Sequence, residues 1–220
     1  MSEVVRWRAT ITYRKTGRLR YLGHLDVARA MERAVRRAAL PVAYSEGYNQ
    51  RMRLSFGPPL PLGAEGEGEI VVATLTAKLP ESEVLWRLGA QLPADLGVVT
   101  VTVEPAAGPT ALNLIRTALW RMQLAAEPSL TRGELAQAAA AVMSAQQLAL
   151  RDNDKVTDVR QGIVCVEAGP REAPLELTAL LGASGHNYLS PDKLLRLLES
   201  LLPRPATLRW TRLVRVRFET

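Results

Sequence analysis

Apolar and polar residues alternate from the start of the chain. Val5, Trp7, Ala9, Ile11 and Tyr13 interleave with Arg6, Arg8, Thr10, Thr12 and Arg14. That period of two predicts a strand with one buried face and one polar, basic face. Leu25, Ala28, Met31, Val35 and Ala38 then recur at helical spacing, predicting an amphipathic helix over about residues 24–39. Asp26, Arg29, Arg33, Arg36 and Arg37 fall on its opposite side, and Pro41 ends it. Ala43, Tyr44 and the residues after Tyr48 read as extended chain with a bend at Gly47. "SFGPPLPLGAEGEGE" reads as a loop and "EIVVATLTA" as a strand. "LPESEVLWRLGAQL" starts a helix, with Pro80 in its first turn and Glu81 and Glu83 matched to the dipole. "GVVTVTVEP" closes as a strand, so the first half follows the order β-α-β-β-α-β of a ferredoxin-like unit.

The second half repeats that order. "TALNLIRTALWRMQL" is its first strand, although its apolar spacing also permits a helix over 112–124. "SLTRGELAQAAAAVMSAQQL" opens with a capping box, Thr131 with Glu134, and Leu130 and Leu135 can staple it. "KVTDVRQGIVCVEA" and "LELTALLG" read as strands, and Ser190-Pro191 starts the helix "DKLLRLLESLL". In the closing strand "ATLRWTRLVRVRFE", Trp210, Val214, Val216 and Phe218 face one way. Arg209, Thr211, Arg215 and Arg217 face the other, with Arg212 out of step. The expectation is an α+β fold of two ferredoxin-like units with antiparallel sheets, residues 1–107 and 108–220.

Charge changes the picture more than composition does. With 47% hydrophobic and 23% charged residues, the 220-residue chain can bury a normal core. It carries no apolar run of about 18 residues and no signal-peptide core, so a soluble cytoplasmic protein is expected. Residues 1–56 hold 12 Lys and Arg against 4 Asp and Glu, and residues 57–104 hold 2 against 7. Residues 105–203 are balanced at 9 against 10, and residues 204–220 return to 5 against 1. Two basic ends therefore flank an acidic and then neutral middle. Clustered positive charge suits a polyanion, although ordinary solvated faces give the same counts. Neither basic strand face carries an aromatic for base stacking, which favours phosphate contact over base reading.

The stretch "RYLGHLDVARAMERAVRRAALPVAYSEGYN", followed by "LSFGPPLPLGAEGEGE", resembles the radical-SAM-linked protein family, a domain of unknown function. The likeness is strongest over residues 18–76. It continues at "DKVTDVRQGI", where Lys155, Asp158 and Arg160 are similar to the family's Lys–Asp–Arg segment. Such proteins occur fused to radical-SAM proteins or encoded beside them, often near ribonuclease E/G and ribosomal-protein genes. The resemblance implies transfer-RNA or ribosomal-RNA modification and assigns no reaction. The family's Pro-His-Pro-type run is replaced here by Gln50-Arg51-Met52, so no role of that histidine carries over.

The chain has one cysteine, Cys165, so any radical-SAM cluster belongs to a partner, and no cofactor or metal is expected in the chain itself. Cys165 reads as an inert core thiol. Gly63, Gly66 and Gly68 are interleaved with Glu65, Glu67 and Glu69, which would repel a phosphate. The carboxylate pairs Asp152/Asp154 and Glu67/Glu69 read as solvated turns. His24, at the mouth of the arginine helix, is a helix-entry residue or the general base of a metal-independent endoribonuclease. His186 lies in a loop. The expected function is an RNA-binding accessory protein without catalytic activity of its own. Arg6, Arg8, Arg14, Arg29, Arg33, Arg36, Arg37, Arg51, Arg53, Arg215 and Arg217 are its phosphate contacts. Tyr44, Glu46, Tyr48 and Asn49, with the Gly57–Gly63 loop, form a partner surface, and docking onto a radical-SAM enzyme is the other reading.

Overall fold

In the computed structural model, which describes residues 6–152 and 155–220, the opening alternation forms strand β1 (Trp7–Lys15). Helix α1 (His24–Arg37) follows, then β2 (Leu54–Phe56), β3 (Glu65–Leu75), α2 (Glu81–Gly89) and β4 (Val98–Pro105). Strand β1 pairs antiparallel with β3 on one side and β4 on the other, and β2 pairs antiparallel with β3. The neighbour order is β4-β1-β3-β2. Ala9 and Ile11 of β1, Val71 and Leu75 of β3, Met31 and Val35 of α1, and Val84 and Leu88 of α2 are all buried in one core.

The buried face of α1 is Val27, Met31, Ala34 and Val35, continued by Ala38. Leu25, expected on that face, is 68% exposed, because it lies 200° around the helix from Val27. The helix stops in a Schellman turn. Ala39 takes φ of 50°, its N–H donates to Arg36 O (3.1 Å), and Leu40 N–H reaches back to Val35 O (3.4 Å). That left-handed position costs a non-glycine residue about 1 kcal/mol. Pro80 stands just before α2 as its cap residue rather than inside the first turn.

Short helix α3 (Ala111–Leu114) precedes strand β5 (Thr117–Glu127), so the ambiguous stretch holds both a helical turn and a strand. Then come α4 (Arg132–Ser144), β6 (Ala149–Asp152), β7 (Lys155–Asp158), β8 (Ile163–Ala168), β9 (Leu175–Gly182), α5 (Pro191–Leu201) and β10 (Thr207–Glu219). The chain divides into two compact units, Met1–Leu114 and Ile115–Thr220. In the second, β5 pairs antiparallel with β10 and β9, and β9 with β8, giving the order β10-β5-β9-β8. Strands β6 and β7 form a separate hairpin. The architecture is mixed α+β with antiparallel strand pairing.

"KVTDVRQGIVCVEA" is therefore not one strand. The carboxylate of Asp158 accepts from the backbone N–H of Leu148 (2.9 Å) and of Arg160 (3.0 Å), bending the chain after β7. The Arg160 guanidinium then donates to the carbonyls of Ala145 (2.9 Å) and Ile163 (2.7 Å), which fixes the turn before β8. Of the carboxylate pair Asp152/Asp154, Asp154 lies outside the described residues. Asp152 is no bare turn residue, because it pairs with Lys193 (2.9 Å) and Arg196 (3.5 Å).

The capping box forms. Glu134 N–H donates to Thr131 Oγ1 (3.2 Å), and Thr131 N–H donates to Glu134 Oε2 (2.8 Å). Arg204 adds a bond to Glu134 Oε1 at 2.5 Å, and this pairing, then the Thr131 N–H, holds the Glu134 carboxyl down to about 2. A carboxyl lowered in the folded state stabilises it above the ordinary value of 4.5, and that contribution is lost as pH falls from 4.5 toward 2. Glu134→Gln is expected to flatten the decline of melting temperature across that window. An unchanged acid profile would show that the pair contributes nothing.

Candidate nucleic-acid interface

Helix α1 turns Arg29, Arg33, Arg36 and Arg37 to the surface, and all four are exposed. Arg37 is partly committed, donating to the Gln91 carbonyl (2.7 Å) and its side-chain oxygen (3.2 Å). Arg29 stands 3.6 Å from Asp26, a pair so exposed that water screens most of it. Among the described residues, the Arg33 and Arg36 side chains have no hydrogen-bond or ion-pair partner.

The segment after α1 folds back beside these arginines. Tyr44 bridges Met52, Ser45 N–H donates to Arg51 O (2.8 Å), and Arg51 N–H donates to Ser45 Oγ (3.0 Å). The bend between them turns on Gly47 at φ 109°, a region that favours glycine. This closure brings Arg51 across from α1. The result is a groove of about 370 Å³ lined by Arg29, Glu32, Arg36, Tyr44, Gln50 and Arg51, with Leu25, Ala28 and Met52 supplying apolar surface. Tyr44 is 43% exposed and Tyr48 fully so, and Glu46, Asn49 and Arg53 are exposed beside them. Arg53 Nε donates to Tyr44 O (3.3 Å), which fixes the base of the bend. Glu32 breaks no pattern in the sequence, and Gln50 stands out there only as part of the run that replaces the family's histidine segment.

Other expected contacts are placed elsewhere. Arg8 is buried, donating to Glu104 (3.3 Å) and to the carbonyls of Pro109 (2.9 Å) and Gly108 (3.0 Å). It ties the loop after β4 to β1, and its burial keeps the guanidinium from a phosphate. Arg215 is buried too, its guanidinium 5.3 Å from the Trp120 ring centroid and 4.4 Å from that of Phe218. The register of β10 on β5 shifts between Arg215 and Arg217, so strict alternation does not hold there. Arg217 is exposed and paired with Glu219 (2.8 Å). Arg14 is exposed with Nε on Ala94 O (2.8 Å), and Arg6 is half-buried at the entry to β1. None of Arg6, Arg8 and Arg14 lines the groove.

The Gly57–Gly63 loop does not line it either. Gly57 N–H is bonded to Ile70 O (2.9 Å), and Gly57 to Leu60 cover a separate hollow of about 10 Å³ beside Tyr13, Lys15, His24 and Glu69. His24 is an exposed helix-entry residue whose ring meets Phe56 edge-on at 5.7 Å. Lys15 is buried with Nζ on Leu22 O (3.0 Å). Glu65 and Glu69 are buried rather than loop acids, since β3 already begins at Glu65. Gly66 explains the interleaving there: a Cβ would come within 2.6 Å of the Glu69 side chain. Cys165 is only half-buried; burial first, then Glu167 at 3.5 Å, raises its thiol above the ordinary range, so it stays protonated.

Among the described residues no helix is long and apolar enough to cross a membrane, and no three His, Cys, Asp or Glu side chains are grouped to hold a metal ion. No curated protein matches the chain. One family model does, over residues 8–191, a span that takes in the arginine helix, the bend and groove, and the Asp158–Arg160 turn. The chain thus belongs to the family described as an uncharacterized protein conserved in bacteria (DUF2344).

Proposed function

We propose that this chain is an RNA-binding accessory protein that works beside a radical-SAM enzyme in transfer-RNA or ribosomal-RNA modification. The observation that carries the reading is the groove: Arg29, Arg36 and Arg51 converge on one concavity with an exposed tyrosine at its wall. Guanidinium groups bind phosphate oxygens in bidentate fashion, and a bare tyrosine ring stacks an unpaired base. The radical-SAM link rests on the resemblance over residues 18–76, and the single cysteine leaves any such cluster to the partner. We read the scaffold as a duplicated ferredoxin-like unit. Each unit runs β-α-β-β-α-β with its fourth strand beside the first and its second at the far edge, and the second unit inserts the β6–β7 hairpin. Arg29, Arg33, Arg36, Arg51 and Arg53 are the phosphate contacts of this reading.

Affinity capture of the tagged chain from bacterial lysate is expected to recover structured RNA together with a radical-SAM protein. The same capture with Tyr48→Ala plus Asn49→Ala is expected to yield about tenfold less RNA, roughly 1.4 kcal/mol. Both side chains are exposed, so the melting temperature should hold. Recovery of neither RNA nor enzyme would remove the reading, and a large fall in melting temperature would make the bend a packing element.

A further inference from the structure

The second unit contains a cavity of about 330 Å³ between the β6–β7 hairpin, the Arg160–Gly162 turn and the start of α5. Its position owes nothing to the arginine groove. One wall is the turn His186-Asn187-Tyr188, and the backbone of that turn is pressed against two glycines. A Cβ on Gly182 would stand 1.9 Å from Asn187 O, and one on Gly162 would stand 2.8 Å from the same atom. Gly185 takes φ of 61°, and Leu189 N–H donates to Gly182 O (3.1 Å). The fold thus gives up side chains at three positions to seat a turn whose own His186, Asn187 and Tyr188 are exposed, the tyrosine by 55%. A turn that only reversed the chain needs no aromatic ring held at a cavity wall.

Polar groups opposite are held in the same way. Asp158 Oδ1 accepts from two backbone N–H groups, which orients the carboxylate and keeps it ionised by holding its pKa below the usual range. Among the described residues its second oxygen takes no bond. Lys193 is matched by Asp152 on the far wall, so the ion pair is neutral toward a ligand. Gln161 is exposed at the rim and supplies an amide. The cavity therefore offers an exposed ring face, a fixed acceptor-only carboxylate and an amide, in a volume at the lower end of small-molecule sites.

We propose that this cavity binds a guanine base, its ring against Tyr188 and its N1–H and N2–H edge donated together to the open oxygen of Asp158. Guanine alone among the four bases presents two adjacent N–H donors that converge on one acceptor oxygen, as the open oxygen of Asp158 requires. Uracil flanks its single N–H with carbonyl oxygens that the carboxylate repels, and adenine and cytosine place a ring acceptor beside the amino group. The base can belong to a free nucleotide or to an RNA strand, and the recognising chemistry is the same.

Calorimetric titration of the full chain with GMP, AMP, CMP and UMP, and with a uridine hexamer with and without one guanosine, tests this. GMP or the guanosine-containing hexamer is expected to bind at least tenfold more tightly than its counterparts. Binding of both identifies the base itself as the ligand, and binding of the hexamer alone assigns the site to an RNA strand. Tyr188→Ala and Asp158→Ala should each weaken that binding about tenfold or more, whereas Arg36→Glu with Arg51→Glu should leave GMP binding unchanged. If Asp158→Ala lowers the melting temperature by loosening the turn, Tyr188→Ala and Gln161→Ala, both at exposed side chains, carry the test. Equal binding of all four nucleotides, no binding of any probe up to about 1 mM, or displacement of GMP by spermidine would overturn the proposal.

Discussion

Raising salt from about 50 to about 200 mM is expected to weaken binding of a structured RNA by about a hundredfold, the response of roughly four phosphates neutralised at once. The number follows from the arginines that are free to act. Arg33 and Arg36 carry no intramolecular partner among the described residues, Arg51 reaches the groove with its side chain uncommitted, and Arg29 is held only by a screened pair. Arg8 and Arg215 contribute nothing to that slope because protein groups already surround their guanidinium groups. A gel-shift series across that salt range reads the slope directly. A response shallower than about fivefold would mean that apolar or base contacts, not phosphates, dominate.

Arg215→Glu is expected to act on stability instead, lowering the melting temperature of the second unit by about 10 °C or more. Arg215 is 2% exposed, with Trp120 and Phe218 both in cation–π range. A glutamate there would present a desolvated carboxylate to the negative faces of both rings, a change that typically costs about 3–5 kcal/mol. Circular dichroism melting measures it. An unchanged melting temperature with weakened RNA binding would return Arg215 to the phosphate contacts.

What the sequence made legible was local. Strand β1, helix α1 and the starts of α4 and α5 were readable because alternation, helical spacing and caps are all encoded within a few residues. Of the candidate site, the arginine face of α1 and the bend at Gly47 were readable for the same reason. The burial of Arg8 was not, because its partners come from residues 104–109, about a hundred positions away. Arg215 was misread because a register shift in β10 breaks the alternation on which its exposure was judged. Glu69 read as part of a solvated turn because charge suggests water until antiparallel pairing brings β1 and β3 together. The β6–β7 hairpin left no pattern, since its four-residue strands are largely exposed and bury only Leu150. Gly162 and Gly182 gave no sign of their role, which depends on a turn that meets them only in the fold.

The central claim is that the α1 groove, and not basic charge in general, holds RNA. Two double variants separate these. Arg36→Glu with Arg51→Glu alters the groove, while Arg151→Glu with Arg171→Glu alters exposed arginines outside it, and each pair lowers the formal net charge from +6 to +2. RNA affinity measured by gel shift at one salt concentration is expected to fall about a hundredfold in the first, roughly 2.8 kcal/mol, and less than about threefold in the second. Equal losses in the two variants would contradict the claim, since they would make the interaction one of net charge alone.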